Sequence, residues 1–311
     1  MIMSNGNSVT AESIKLNIGN VDIESTLDGG QAFRWWHEVD GSYRGVIGRR
    51  ALNIREISGG VAVTAVDGKP NAGIEHATNE YLGGAENLEK FRQLYASDPC
   101  LGPALRGYSG LRLLRQDPWE CLFSFITSST SNIPRIKLNV GAAAESFGYS
   151  IGPRPPDVTF PEPEVIIEAG ENHLRELGFG FRAKYLVAAA SAIASGAIKL
   201  HDLKEASYDD ARAELVQLHG VGEKIADCVL AFSLDKPESF IVDRHILRAL
   251  RKWYKLPVKA SLSYAADWAR GHFGEYSALA NQYMFHRERL ASRAAEWGGV
   301  HIEKALPEDG I

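Results

Sequence analysis

LHGVGEKIADCVLAFSLDKPESFIVDRHI, residues 218–246, is the stretch that says most about the architecture of this chain. Two glycines, Gly220 and Gly222, separate two runs with helical apolar spacing, which predicts a helix, a tight hairpin and a second helix. Glycine permits unusual backbone conformations and close approach by a ligand. The N–H groups at the start of the second helix can therefore hold an anion such as a nucleic-acid phosphate, although a plain turn between helices also uses glycines.

Two charged residues stand at the two helix starts of this stretch. Lys224 faces the positive end of a helix dipole, which opposes a cation by about 0.3–1 kcal/mol. That effect alone does not turn an amine into a nucleophile, and a solvated surface lysine tolerates it. Asp243 directly precedes an amphipathic helix, where we expect an N-cap that can also oppose a developing positive charge. An amine and a carboxylate placed in this way suit chemistry at a sugar carbon.

The chain from about residue 111 to residue 295 predicts further helices. Asp117 and Glu120 form a capping box around a proline at the first helical position, so a buried helix begins there. A second helix ends at Gly148, and a proline-rich loop follows over residues 149–164. Helical apolar spacing continues in five later segments, at residues 173–196, 208–218, 223–234, 244–254 and 276–291.

The first third of the chain has the pattern of a sheet. Residues 43–57 and 60–66 contain β-branched and aromatic residues in partly alternating positions, with DGS and SGG as turns. A looser stretch over residues 71–110 contains short helical patterns such as ENLEKFRQLYA. The order of elements therefore predicts an antiparallel sheet followed by a set of helices.

The composition limits the class of protein and its compartment. The 311 residues are 45% hydrophobic and 23% charged, as in an ordinary globular protein. The net charge of −5 is a mild argument against a nucleic-acid binder, but residues 244–255 are strongly basic. Three scattered cysteines are too few for a disulfide framework or a structural zinc site, which favours a reducing compartment. Neither a targeting peptide nor an apolar run of about 20 residues is recognisable, so we expect no membrane span.

Several motifs in register resemble those of one family. The opening stretch resembles the helix-hairpin-helix, glycine/proline-rich loop and aspartate motif of DNA glycosylases. RLLRQDPWECLFSFITSSTSNIPRI at 112–136, HLRELGFGFRAKY at 173–185 and GGQAFRW at 29–35 are similar to the 8-oxoguanine DNA glycosylase family of that superfamily. These motifs occur in the same order as in the family, and the resemblance extends from about Leu27 to Leu290.

This resemblance implies an α+β fold and a DNA partner. We expect an N-terminal antiparallel β-sheet domain at 1–110, packed on a two-lobed, all-α helix-hairpin-helix glycosylase domain at 111–295, and a tail at 296–311. The expected partner is double-stranded DNA that contains an oxidised purine. We further expect a monomer without cofactor or metal, located in the cytoplasm and nucleoid, or in the nucleus of a eukaryote.

The resemblance also implies a mechanism, base-excision repair by a bifunctional glycosylase and abasic-site lyase. The damaged base is flipped out of the duplex. Lys224 matches the lysine that attacks the sugar C1′ and forms a Schiff base, and Asp243 matches the aspartate that stabilises the oxocarbenium-like state. β-Elimination then nicks the strand 3′ to the lesion. We expect a pocket between the subdomains to remove water from Lys224.

Four residues match the family's pocket for the damaged base. The Gly30 carbonyl would accept the N7–H that only the oxidised base carries, although the local sequence alone indicates a turn glycine. Cys228 and Phe285 would sandwich the base, although each also fits an ordinary core position. Asn281 stands where the family has a glutamine that reads the Watson–Crick edge of the base. The asparagine side chain is one methylene shorter than that glutamine.

Eight further residues match DNA contacts outside that pocket. Those expected near the phosphates are Gly220, Val221, Gly222 and His245. Those expected to contact the orphaned cytosine, or to wedge into the duplex, are Thr130, Arg135, Phe181 and Arg182. Thr130 replaces an asparagine, so we expect weaker preference for cytosine opposite the lesion. On residue type alone, the two arginines also fit a solvated helix face.

Two other functions remain open from the sequence. A glycosylase for alkylated or other damaged purines, such as the 3-methyladenine group, needs the aspartate but not Lys224. A non-catalytic helix-hairpin-helix DNA-binding protein explains the hairpin but leaves Asp243 and the sheet without a task. An iron–sulfur glycosylase requires four clustered cysteines after the catalytic helices, and no cysteine follows Cys228.

Overall fold

The computed structural model describes residues 13–84 and 88–297 of the chain. The first part contains five strands, β1 Ser13–Leu16, β2 Trp35–His37, β3 Tyr43–Ile47, β4 Arg50–Ile57 and β5 Gly60–Ala65, and a short helix, α1 Ile23–Leu27. The strands form one antiparallel sheet in the order β1-β5-β4-β3-β2. The predicted sheet is confirmed. The two edge strands, β1 and β2, are too short for their alternation to have predicted them.

One side of the sheet is buried under a helix. Ile54 on β4 pairs with Val63 on β5, and neither side chain is exposed. They share a core cluster with residues of α2, Ile74–Tyr81. The indole N–H of Trp35 donates to the hydroxyl of Tyr81 at 2.9 Å, so the helix is also tied to β2.

Two helices before the predicted boundary at residue 110 pack into a second, larger core. They are α3, Leu88–Tyr95, and α4, Leu101–Gly107. The ring of Phe91 on α3 is fully buried and its centre lies 5.6 Å from that of Tyr283. The sequence before residue 110 therefore contributes to both cores.

The remainder of the described chain is mostly helical, which confirms the α+β prediction. The helices are α5 Pro118–Thr127, α6 Ile133–Phe147, α7 Pro163–Glu176, α8 Ala183–Ala194, α9 Tyr208–Leu215, α10 Glu223–Ser233, α11 Arg244–Tyr254, α12 Leu262–Phe273 and α13 Ser277–Trp297. Alanines form most of the buried side of α12, and so weak a pattern did not predict it. The predicted tail at 296–311 overlaps the end of α13, and its residues after 297 lie outside the described chain.

The predicted helix ends are mostly confirmed. Asp117 accepts the N–H of Glu120 at 2.9 Å, and α6 ends at Gly148. The Glu120 carboxylate, predicted to complete a capping box, instead forms an ion pair with Arg34 at 3.0 Å. No helix in the described ranges is long and apolar enough to cross a membrane.

Buried charged side chains join the sheet to the helical part. Arg34, which follows the α1 loop, pairs with Glu120 of α5 and donates to the Val158 carbonyl. Arg44 of β3 donates from Nε to Asp157 Oδ1 at 2.7 Å, and both side chains are almost fully buried. Because such contacts fix relative orientation, the residues of the N-terminal part keep a defined position beside the helices.

Candidate active site

The glycine hairpin lies between α9 and α10, as predicted. Gly220 has φ +92°, and a Cβ there would lie 2.4 Å from the ring of Tyr185, so only glycine fits. Val221 is buried and donates its N–H to the Leu218 carbonyl at 2.9 Å. Among the described residues, the N–H groups of Gly220 and Gly222 have no acceptor. These two remain for an anion, whereas the N–H of Val221, also predicted to bind phosphate, is already used.

The start of α10 has no side-chain cap, because Gly222 occupies the N-cap position. The first helical bond runs from the Ala226 N–H to the Gly222 carbonyl, so the N–H groups of the first turn have no intrahelical partner. Lys224 lies in this turn and is exposed. The predicted removal of water from Lys224 is therefore absent from the free protein.

Asp243 caps α11, as predicted. Its Oδ1 accepts the N–H groups of His245 and Ile246, both at 2.8 Å. Within the described ranges Oδ2 accepts no hydrogen bond, so one carboxylate oxygen is held in place while the other remains for a nearby positive charge. His245, predicted near a phosphate, is half-buried in the first turn, and its Nδ1 lies 3.2 Å from Arg248 Nη2.

Cys228 is a buried thiol whose pKa responds to the charges of both predicted catalytic residues. It lies one helical turn after Lys224 and is 3% exposed. Burial raises the pKa of the Cys228 thiol to about 12, the positive charge of Lys224 lowers it, and the negative charges of Asp227 and Asp243 raise it. The thiol is therefore neutral at physiological pH, and the charges of Lys224 and Asp243, which stand at two different helix starts, both affect its pKa.

Helix α13 carries the predicted aromatic wall of the base pocket. Gly30 has φ +85°, and a Cβ there would lie 3.0 Å from both the Phe285 ring and Ile133 Cδ1. Phe285 is half-buried and packs against the larger core. The predicted pocket residues Gly30 and Phe285 therefore lie side by side, although 255 positions separate them in the sequence.

Asn281 supports the loop that leads to Asp243. It lies one turn before Phe285, is 3% exposed, and donates from Nδ2 to the Ile241 carbonyl at 2.8 Å. Its Oδ1 accepts no hydrogen bond from the part of the chain that the structure describes. Because the Watson–Crick edge of guanine presents N–H donors, an acceptor is the right group there, and base reading by Asn281 stays a prediction.

The four residues predicted at the opposite base form a cluster. The Arg182 guanidinium lies 4.6 Å from the centre of the Phe181 ring, and Phe181 is 46% exposed, as a wedge requires. Burial, and then the charge of Arg135, lower the pKa of Arg182. Arg182 donates to the carbonyls of Ser129 at 2.6 Å and Thr130 at 2.8 Å. Its guanidinium thus holds the Thr130 loop, and its contact with cytosine stays a prediction.

A buried polar network beneath the hairpin was missed from the sequence. Asp227 is 2% exposed, accepts the Tyr208 hydroxyl at 2.7 Å and lies 3.3 Å from Arg212 Nε. Arg270 of α12 donates to the same hydroxyl at 3.1 Å. The available signal was an acidic residue on the otherwise apolar face of α10, a position where an unpaired carboxylate is rare.

Comparisons with known proteins place the chain in a family. A model of the 8-oxoguanine DNA glycosylase N-terminal domain matches residues 13–122, and one of the HhH-GPD superfamily base excision DNA repair proteins matches residues 124–264. The N-glycosylase/DNA lyase OGG1 of Arabidopsis thaliana is 31% identical over 301 residues, 90% of this chain and 80% of the relative. The chain belongs to the 8-oxoguanine DNA glycosylase family.

Solved structures agree with membership of the 8-oxoguanine DNA glycosylase family. An 8-oxoguanine glycosylase/lyase of Clostridium acetobutylicum, bound to double-stranded DNA with cytosine opposite 8-oxoguanine, has a TM-score of 0.83 and 28% identity and covers 90% of this chain and 98% of its own. A 3-methyladenine DNA glycosylase of Archaeoglobus fulgidus has a TM-score of 0.74 and 22% identity, and the match covers 90% of this chain and 99% of that glycosylase. The second likeness concerns the fold alone.

Proposed function

We propose that this chain removes 8-oxoguanine from double-stranded DNA and then cleaves the strand at the abasic site. The observation that carries the proposal is the placement of Lys224 and Asp243 at two helix starts, one without a side-chain cap and one capped by the aspartate itself, and the charges of both residues affect the pKa of Cys228. The substrate follows from family membership and from the relatives that are named for it.

Base selection begins at Gly30. A flipped 8-oxoguanine enters between Cys228 and Phe285, and its N7–H donates to the Gly30 carbonyl. Ordinary guanine has a lone pair at N7 instead of a hydrogen, so two acceptors would face each other in a site without water. An unpaired buried acceptor opposes binding of the wrong base more strongly than a poor fit does.

Bond cleavage follows at the sugar. The unprotonated amine of Lys224 attacks C1′ while the C1′–N9 bond breaks, and the base leaves with the bonding pair. The Asp243 carboxylate stabilises the positive charge that develops on C1′ and the ring oxygen. Loss of a proton from nitrogen and opening of the sugar ring give a Schiff base, and β-elimination then breaks the bond from C3′ to its oxygen. Bound DNA has to supply the exclusion of water that exposed Lys224 lacks.

Reductive trapping tests this proposal. The protein is incubated with an 8-oxoguanine duplex and sodium borohydride, and we expect a covalent adduct that Lys224→Gln abolishes. Asp243→Asn should reduce the excision rate by about 10²–10³-fold while the helix stays capped, since asparagine is also a good N-cap. Lys199→Gln, at an exposed lysine outside the site, is the control and should trap normally.

Other outcomes of this assay overturn the proposal. Release of the base without trapping indicates a monofunctional glycosylase. Binding without release of the base indicates a DNA-binding protein without catalysis. Release of an alkylated purine in preference to 8-oxoguanine indicates a glycosylase of the 3-methyladenine class.

A further inference from the structure

Two consecutive amide side chains of α13, Asn281 and Gln282, are buried, and only the first is among the predicted residues of the base pocket. Gln282 is 2% exposed. Its Nε2 donates to the Gly29 carbonyl at 3.0 Å, across 253 positions of sequence. The amide therefore reaches from the wall of the base pocket to the residue immediately before Gly30.

Gly29 is packed too closely to move away from this contact. A Cβ on Gly29 would lie 2.1 Å from the Ser25 carbonyl oxygen and 3.0 Å from Gln282 Nε2. The Gly29 backbone is thus confined between α1 and α13. The hydrogen bond fixes the plane of the peptide group that joins Gly29 to Gly30.

The next carbonyl after that of Gly30, the carbonyl of Gln31, is held in a similar way. Gln116 donates from Nε2 to the Gln31 carbonyl at 2.9 Å. The side chain of Gln31 in turn donates to the Arg112 carbonyl at 2.8 Å and accepts the Leu114 N–H at 3.0 Å. Among the described residues, the Gly30 carbonyl accepts no hydrogen bond, so a free acceptor stands between two anchored carbonyls.

We propose that Gln282 is a positioning residue for lesion recognition, which acts by fixing the direction of the Gly30 carbonyl. Gly30 has wide conformational freedom, so its carbonyl needs the neighbouring carbonyls of Gly29 and Gln31 to be held in place if it is to meet N7–H in line. Gln282 holds the Gly29 carbonyl and touches neither the base nor the sugar. This inference rests on the proposed function, in which Gly30 reads the lesion.

The test separates base recognition from sugar chemistry. Gln282→Met keeps approximately the volume of the side chain but removes the donor. We expect single-turnover excision of 8-oxoguanine opposite cytosine to fall by about tenfold or more, as for loss of one buried hydrogen bond in the transition state. Cleavage of a duplex with a preformed abasic site needs no base recognition and should stay within about twofold of the wild type, well below the 1.4 kcal/mol that a tenfold change represents.

The neighbouring residue offers a matched control. Tyr283→Phe removes a buried hydroxyl that donates to the Leu111 carbonyl at 3.2 Å, from the same helix but to another part of the core. We expect both activities of this variant to equal those of the wild type. Gln282→Asn, which keeps an amide but shortens it, should show the same selective loss as Gln282→Met and serves if the methionine variant does not fold.

Two results overturn the role of Gln282. One is an unchanged rate of 8-oxoguanine excision, and the other is an equal loss of excision and abasic-site cleavage. A wild-type protein that cleaves abasic sites but releases no 8-oxoguanine instead refutes the proposed substrate. The two failures are therefore distinguishable in one set of measurements.

Discussion

Thr130 has φ +51°, a left-handed conformation that disfavours β-branched residues and that asparagine adopts readily. The carbonyls of Thr130 and Ser129 accept hydrogen bonds from Arg182, which hold the loop in this conformation. Strain of this kind costs about 1–3 kcal/mol. Threonine is thus unfavourable for the backbone at this position, and its weaker contact with the opposite base stays a prediction.

Thr130→Asn should increase both the stability of the protein and its preference for cytosine opposite the lesion. We expect the free energy of unfolding to rise by about 1 kcal/mol, measured by urea denaturation, because asparagine relieves the strain. We also expect a larger ratio of excision opposite cytosine to excision opposite adenine, because the amide can contact the orphaned base. Thr130→Gly separates the two effects, since it should stabilise the protein without raising the ratio. An unchanged ratio in Thr130→Asn contradicts a role for this position in reading the opposite base.

At the scale of elements, α10 is the helix on which the site depends. Nine of its eleven residues, Ile225–Ser233, are buried, and one of them is the acid Asp227. Burial raises the pKa of Asp227 to about 6, although the Tyr208 hydroxyl and the charges of Arg212 and Arg270 lower it. In the unfolded chain the same carboxyl has the ordinary aspartate pKa of 3.8. The folded protein therefore binds this proton more tightly than the unfolded one, and its ionisation destabilises the fold.

The stability of Asp227→Asn relative to the wild type should rise with pH. Between pH 3.8 and about 6 the folded wild type keeps a proton that the unfolded chain has lost, so this residue's contribution decreases as pH increases. The resulting change in the free energy of unfolding of Asp227→Asn relative to the wild type amounts to roughly 3 kcal/mol at most. Above about pH 6 it stays constant. Urea midpoints of both proteins at pH 4, 5, 6 and 7 measure it. A relative stability that falls with pH would show that Arg212 and Tyr208 outweigh burial.

At the scale of the molecule, the Gly30 loop depends on the docking of the sheet against the helices. Asp157, 1% exposed, makes the buried pair with Arg44. Burial opposes ionisation of Asp157, but the hydrogen bonds from Arg44 and the Arg154 N–H hold its pKa below the usual value. Asp28 adds ion pairs to Lys137 of α6 and Arg289 of α13, beside the Gly29 contact.

Asp157→Asn should weaken this docking strongly. It leaves the Arg44 guanidinium buried without a counter-charge, and loss of one partner from a buried pair costs about 3–5 kcal/mol. We expect calorimetry to show one melting transition for the wild type and two for Asp157→Asn, with the sheet unfolding first. Glu162→Gln removes an exposed ion pair with Arg49 that also joins the sheet hairpin to α7, and it should leave the transition unchanged. One transition with an unaltered midpoint in Asp157→Asn excludes a docking role.

Local signals in the sequence predicted some features and could not predict others. The bounds of α11, Arg244–Tyr254, match the prediction because a capping aspartate and strong amphipathicity act within a few residues. The contact of Gln282 with Gly29 could not be predicted, since it depends on how the whole chain closes. The exposure of Lys224 agrees with the local sequence, which fits a solvated lysine, whereas the expected removal of water came from the resemblance, which describes a site with DNA.

Because α10 has no side-chain cap, we expect the substrate to complete the first turn of this helix. A serine or aspartate at Gly222 would saturate the first-turn amides and compete with the incoming strand. With glycine there, we expect a phosphate oxygen of bound DNA to act as the capping group and to stiffen the turn that carries Lys224. Amide hydrogen exchange in this turn should consequently be fast in solution and slow on DNA, so that ordering of the nucleophile is coupled to engagement of the duplex.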